Sequence, residues 1–298
     1  MKNLESLLML FACITMTSCK NHKEYNHTDL SSNLENTVES VPSVDPEDMM
    51  ASANLTVSEG KRLIAKGVAA MPEVREKMQK GTIIITRGTT NTYLAEELAG
   101  LKEPHGAFLT GHFVPVGARK VSAGISNKLS EIILVDGKKI DVSYEEGLKM
   151  LKEGDLIFKG GNLLNYAKKQ AAVCIGAPDG GTVYRLLPYV GKNKARLIVP
   201  IGLEKDTSSD LNLIDANLNK KNERLSSVPK SYVYQDATLF TEIEAIKQFA
   251  DVKVFPYGLG GVKGREGGLS LVIAGKRTEV EKAISVIKSV QGEHPFHE

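Results

Sequence analysis

Four short apolar runs end in turns that carry glycine: "TIIIT" from Thr82, "DLIF" from Asp155, "AAVCI" from Ala171 and "ARLIVP" from Ala195. This repeat constrains the fold more than any other feature of the chain. Runs so short, so apolar and bounded by glycine suit strands buried on both faces, as in a parallel sheet covered by helices. Because helical patterns alternate with them, the expected class is α/β: a mostly parallel sheet with helices on both faces, plus a small α+β unit at the C-terminal end. In such a sheet ligands collect at the carboxyl ends of the strands, where these turns should lie.

The segments between the runs fill out the pattern. Residues 58–80 space Leu63, Ile64, Val68, Met71, Val74 and Met78 at helical intervals, with Ser58 as the expected cap and Pro72 dividing the stretch into two helices. A strand over 82–86 and a helix over 91–99 follow. Residues 104–121 have no clean period, and a hairpin or an active-site flap fits them equally. In "EIILVDGKKIDV" two apolar runs flank Asp136-Gly137, the pair that suits a tight hairpin turn. The next helix starts at Ser143 with Glu146 at capping-box spacing. "TVYRLLPYVGK" reads as a further helix. The polar stretch 206–229 reads as a linker or surface insertion. From Thr238 the order expected is helix, strand, glycine loop, strand, helix. These readings give an α/β domain over 57–205, a linker over 206–229, a small unit over 230–292 and a disordered tail over 293–298, whose His294 and His297 lack partner metal ligands.

The N-terminus reads as a targeting segment. Lys2 precedes the apolar run "LLMLFACITMTS", which suits a signal-peptide core and stops at Cys19. "MTSC" looks like the lipobox of bacterial lipoproteins, so residues 1–19 are expected to be a signal peptide and Cys19 the lipidated first residue. A buried or disordered apolar N-terminus is the alternative, and Glu5 weakens the basic region. Residues 20–56 are polar, nearly free of aromatics, and read as a disordered tether to a membrane of the cell envelope. The 298 residues are 42% hydrophobic and 25% charged with a net charge of +2, which implies no nucleic-acid partner. Of Cys13, Cys19 and Cys174 only Cys174 would remain free after processing, so no disulfide framework is expected. Its apolar run makes Cys174 a small core residue.

The glycine turns carry the candidate chemistry. A strand delivering its chain into Gly88, Thr89, Thr90, Asn91 and Thr92 aims backbone N–H groups and a helix N-terminus at one point, an anion site. A plain helix cap is the alternative. "KGGN" supplies Lys159, Gly160, Gly161 and Asn162, and "DGGT" supplies Asp179, Gly180, Gly181 and Thr182. Three such turns imply one shared crevice. Lys159 reads as a point charge for phosphate or carboxylate, or as a surface lysine. Glu204 and Lys205 read as a general base with its charged neighbour, or as an exposed ion pair. "GLGGVKGREGG" misses dinucleotide spacing and reads as a mobile loop or bulged hairpin. No Ser-His-Asp or Cys-His arrangement is legible, His105 and His112 fall in the irregular segment, and no cofactor or metal set is implied.

"IIITRGTTNTYLAEEL" resembles the phosphate-binding strand, turn and helix of ribose-5-phosphate isomerase, the glucosamine-phosphate deaminases and the coenzyme A transferases, where the turn reads Gly-Thr-Gly-Ser-Thr. Gly88, Thr89 and Thr92 match, while Thr90 replaces the second Gly and Asn91 the Ser. "GDLIFKGGNLLN" stands where the isomerase has an Asp-Gly-Ala-Asp-Glu strand end, and there only Gly160 matches. Lys159, Asn162 and Leu163 stand where acids belong. A nearer resemblance is to an uncharacterised prokaryotic family with "GTTN", "KGGN" and "GGT" turns. The resemblance implies the fold and an anion site for a phosphorylated or carboxylated small molecule, with isomerase- or transferase-like chemistry, and not the isomerase's own base. A non-catalytic binding or partner-docking lipoprotein is the alternative. An enzyme should bring Glu204, Glu242, Glu244 or Glu266 to the glycine turns; a docking protein should leave the crevice filled.

Overall fold

A computed structural model describes residues 41–111, 113–114, 116–117 and 128–296. The expected signal peptide with Cys19, the tether as far as residue 40, His112, most of the stretch 115–127 and His297 lie outside the described residues.

Strand β1 (Met49–Leu55) leads into α1 (Val57–Ala70) and α2 (Pro72–Gln79). Thr56 caps α1 in a capping box with Glu59, so the helix starts one residue ahead of the expected cap at Ser58. Pro72 opens α2, where its missing N–H costs no hydrogen bond. Next come β2 (Thr82–Ile85), α3 (Thr89–Ala99), a 3₁₀ turn (His105–Phe108), the hairpin β3 (Ile132–Val135) and β4 (Lys138–Ile140), and α4 (Tyr144–Met150). Asp136 (φ 48°) and Gly137 (φ 74°) hold the two left-handed positions of a tight hairpin turn. Ser143 and Glu146 form the capping box at the start of α4.

The chain continues through β5 (Leu156–Phe158), β6 (Leu163–Asn165), β7 (Gln170–Ile175), α5 (Gly181–Leu186), β8 (Arg196–Pro200), α6 (Leu211–Leu218), β9 (Lys230–Val233), β10 (Ala237–Phe240), α7 (Glu242–Lys247), β11 (Lys253–Leu259), β12 (Leu269–Gly275) and α8 (Arg277–Lys288). A six-stranded sheet has the order β10-β8-β5-β2-β3-β4. Its first four strands run parallel, and the β3–β4 hairpin adds antiparallel to β2. All residues of β2 and β5 are buried, which is why their sequences are unbroken apolar runs rather than alternating ones.

Four expectations need correction. "AAVCI" is not a strand of the parallel sheet: it forms β7, the centre of a separate antiparallel sheet β6-β7-β9. "TLF" at 238–240 is strand β10 rather than the start of a helix, because Thr241 caps α7 and ends the strand there. Of the two readings of 206–229, linker or surface insertion, α6 capped by Asp210 favours the insertion, and the separate unit expected from 230 is corrected, since its first strands enter the sheets of the preceding domain: β10 pairs with β8 and β9 with β7. The expected tether is strand from Met49 to Leu55 and pairs with β12, so a three-stranded sheet β1-β12-β11 joins the N-terminal end to the C-terminal unit.

Two further segments behave otherwise than expected. The loop from Gly260 to Gly268 closes a hairpin whose register shifts between Pro256 and Gly258, the bulged alternative. The tail up to Phe296 is docked. Glu293 pairs with Arg62 at 2.8 Å, the Phe296 N–H donates to Ser58 Oγ at 3.1 Å, and the Phe296 ring lies 4.8 Å from that of His105.

Candidate functional site

Parallel strands end at one edge, so the residues following β2, β5, β8 and β10 meet there. β3 runs the other way, which puts Glu131, just ahead of it, at the same edge opposite Thr86. A cavity of about 460 Å³ opens at this edge. Its polar wall combines residues 87–91, Lys159 to Asn162, Gly180 to Thr182 and Lys205; its apolar wall includes Leu109, Phe113, Val173, Ile175 and Val183. The three glycine turns therefore converge. Of the expected residues, Gly88, Thr89, Thr90, Asn91, Lys159, Gly160, Gly161, Asn162, Gly180, Gly181, Thr182 and Lys205 line the cavity, whereas Thr92, Asp179 and Glu204 do not.

The absentees are occupied elsewhere. Thr92 Oγ1 donates to Gly88 O at 2.9 Å inside the helix. Asp179 is exposed and accepts from the Gly181 N–H at 3.0 Å and from Arg185 at 3.1 Å. Glu204 pairs with Lys61 at 2.9 Å, both side chains largely out of solvent. Among the lining residues, Asn162 is also committed, since its Oδ1 accepts the Cys174 N–H at 2.9 Å and ties β7 to the turn.

The first turn of α3 is built to be open. The Gly88 N–H donates to Phe108 O and the Thr92 N–H to Gly88 O, while the N–H groups of Thr89, Thr90 and Asn91 have no acceptor among the described residues. Gly88 is extended (φ 165°), and a Cβ there would meet no atom within 4 Å. The glycine thus keeps the mouth clear rather than relieving backbone strain. Asn91 is buried and its Nδ2 donates to Thr86 O at 2.8 Å and to Phe158 O at 3.0 Å. Two carbonyl partners fix which end of the amide is nitrogen. Its Oδ1 is left buried without a partner among the described residues.

Lys159 follows β5 directly and is 7% exposed. No hydrogen bond or ion pair holds its ammonium among the described residues. Burial lowers its pKa to about 8; the Glu131 carboxylate pulls upward, and Lys205 and Arg87 push further down. Arg87 Nε donates to Glu131 Oε1 at 3.1 Å, and Thr182 Oγ1 lies 3.5 Å from the same oxygen. Neither Arg87 nor Glu131 stands out in the sequence. The signal for Arg87 is its position directly after a buried strand; for Glu131 it is an acid placed just before the strand that turns antiparallel.

Behind Lys205 lies a second layer of charge. Lys205 Nζ donates to Gly161 O at 2.9 Å and stands 4.0 Å from Glu204. Burial lowers the pKa of Lys205 against the pull of Glu204. Burial also pushes Glu204 up, but Lys61 and Lys205 outweigh it and hold the carboxyl below its ordinary range. Glu242 is 3% exposed and accepts the Leu203 N–H at 2.9 Å. Its burial, with the Glu204 charge beside it, raises its pKa to about 8. A Cβ on Gly202 would stand 1.7 Å from Glu204 Oε2 and 3.0 Å from Glu242 Oε1, so the two carboxylates approach one point.

The other singled-out residues divide. Cys174 is partly exposed and lines the cavity instead of filling the core, and its thiol pKa is raised by burial. His105 is 2.8 Å from Glu96, packs against Tyr93 and Phe296, and does not line the cavity. Glu244 caps α7 and accepts from Tyr166 at 2.7 Å, and Glu266 accepts the Gly264 N–H at 2.8 Å; neither lines the cavity. Among the described residues no group of three or more His, Cys, Asp and Glu could hold a metal ion, and no helix is long and apolar enough to cross a membrane. No protein-family model matches this chain, and no curated protein or solved structure resembles it significantly, so its own geometry carries the functional reading.

Proposed function

We propose that this protein is a lipid-tethered binder of a small phosphorylated or carboxylated molecule, held in the crevice of glycine turns. One observation carries the reading: Arg87, Lys159 and Lys205 line a single cavity with N–H groups of α3 that have no acceptor among the described residues, and no carboxylate is among its described lining residues. Cations and a helix N-terminus around one space favour an anion, and the apolar wall suits a short organic body. The open cavity speaks against a docking protein whose crevice is filled. The absence of Glu204, Glu242, Glu244 and Glu266 from its wall gives no support to an isomerase-like carboxylate base. The fully buried β2 and β5 support a sheet with helices on both faces, in the manner of the isomerase and coenzyme A transferase group. The tether on Cys19 and a place in the cell envelope rest on the lipobox-like "MTSC".

Thermal stability of the full chain against inorganic phosphate, sugar phosphates, nucleotides, acyl-coenzyme A and short carboxylates tests the reading. A ligand at a hundred times its dissociation constant adds about 2.7 kcal/mol when it binds only the folded state. The gain should disappear when Lys159 and Lys205 are both changed to Met. No gain across the panel refutes the proposal.

A further inference from the structure

We propose that Lys159 is a nucleophilic amine, and that the molecule it meets in the crevice is an anionic aldehyde or ketone which it takes as an imine. The inference rests on the anion-binding reading above and adds the reactive group of the ligand.

Three features of the geometry converge on this chemistry. The first is isolation: Lys159 is nine-tenths buried, lines the cavity, and lacks any carboxylate or carbonyl within hydrogen-bonding distance among the described residues. A lysine kept only for structure would be expected to give its donors to protein acceptors, whereas this one leaves them for whatever enters the cavity. The second is company. Arg87 and Lys205 line the same cavity and disfavour a third positive charge, as around the free-amine lysines of enzymes, against the upward pull of Glu131, which is itself paired with Arg87. The direction of its pKa, down to about 8 from 10.5, agrees with both. The third is the surroundings. The N–H groups of α3 without an acceptor among the described residues, together with Arg87 and Lys205, give the anionic end of a ligand its own site, so Lys159 need not serve as the anion's counter-charge. The unpartnered Oδ1 of Asn91 adds an acceptor beside it for a hydroxyl or for the N–H of an adduct.

The step balances without a co-reactant. The neutral amine's lone pair forms the C–N bond at the carbonyl carbon while the C=O π pair moves to oxygen. One proton passes from nitrogen to that oxygen, giving a carbinolamine. The nitrogen's remaining proton leaves with the hydroxyl as water, the C–O bond breaks, and the C=N bond forms. Thr182 lines the cavity, and its hydroxyl can relay those protons to Glu131, whose Oε1 lies 3.5 Å away outside the lining.

The test is reductive trapping on the full chain. Glyoxylate, a small aldehyde with a carboxylate, is added with cyanoborohydride, and the modified lysines are mapped by peptide mass. With a pKa near 8 the neutral fraction of Lys159 at pH 7 exceeds that of a lysine at 10.5 by about 300-fold. Lys159 is therefore expected to be modified well ahead of exposed lysines such as Lys168. Its rate should climb with pH and level off above about 8, and inorganic phosphate should slow it. Lys159→Arg keeps the charge without the nucleophile: it should still be stabilised by phosphate and take no label in the crevice. Lys159→Met guards against a variant that misfolds for want of space. If phosphate stabilises the chain while Lys159 is labelled no faster than Lys168, or its rate keeps rising to pH 10, the amine inference falls and anion binding stands. Fast labelling of Lys159 without stabilisation by phosphate keeps the amine and removes the anion reading. Neither effect removes both.

Discussion

Replacing Glu242 by Gln isolates the titration of one buried carboxyl, because the amide keeps the volume and an acceptor for the Leu203 N–H at 2.9 Å but cannot ionise. In the folded chain burial and the Glu204 charge raise this carboxyl from 4.5 to about 8. Between those two values the folded state holds a proton that the unfolded state has released, so wild-type stability falls as pH rises through the window and levels off above about 8. The slope is at most about 1.4 kcal/mol per pH unit, hence at most about 3 kcal/mol between pH 5 and pH 7. Glu204 is lowered and acts below 4.5, Lys159 acts between about 8 and 10.5, and Lys205, also lowered by burial, is present in both proteins. Urea unfolding of the full chain at pH 5, 6 and 7 should give the wild type a falling profile that the variant lacks. If the two profiles run parallel, Glu242 titrates as an ordinary carboxyl and the argument is wrong.

Three further outcomes are expected. Glu204→Ala leaves Lys61, whose side chain is 7% exposed, without its partner and should cost about 3–5 kcal/mol in denaturant unfolding; a loss under about 1 kcal/mol would mean that water already reaches the pair. Gly88→Val adds a side chain where a Cβ meets nothing within 4 Å, so stability should hold to about 0.5 kcal/mol while stabilisation by phosphate is lost, and retained stabilisation would remove this mouth from the binding site. Phe296→Ala removes the ring beside His105 and Tyr93 and should cost about 1 kcal/mol, with faster amide exchange from His105 to Phe108; unchanged exchange would show that the tail does not brace that turn.

Much of this protein was legible one residue at a time. The runs around Ile83–Ile85 and Leu156–Phe158, the Asp136-Gly137 turn, the Ser143–Glu146 box and the Pro72 break are local devices, whose physics acts within four or five residues and is written in the chain order. The three glycine turns could be named as candidates for the same reason, since each is a strand end. That they share a cavity was decided only by the sheet order: β5 lies beside β2, and the separate sheet carrying β7 brings 180–182 across to them. Tertiary structure also made β10 a strand, by pairing it with β8, and ordered Met49–Leu55 by pairing it with β12. It decided the charges as well. Lys159 and Glu242 acquire their shifted protonation from burial and from like charges 46 and 38 residues away in Lys205 and Glu204, and Glu204 is claimed by Lys61 from α1. A charge's environment is a sum over neighbours in space, and no short window of sequence contains those neighbours.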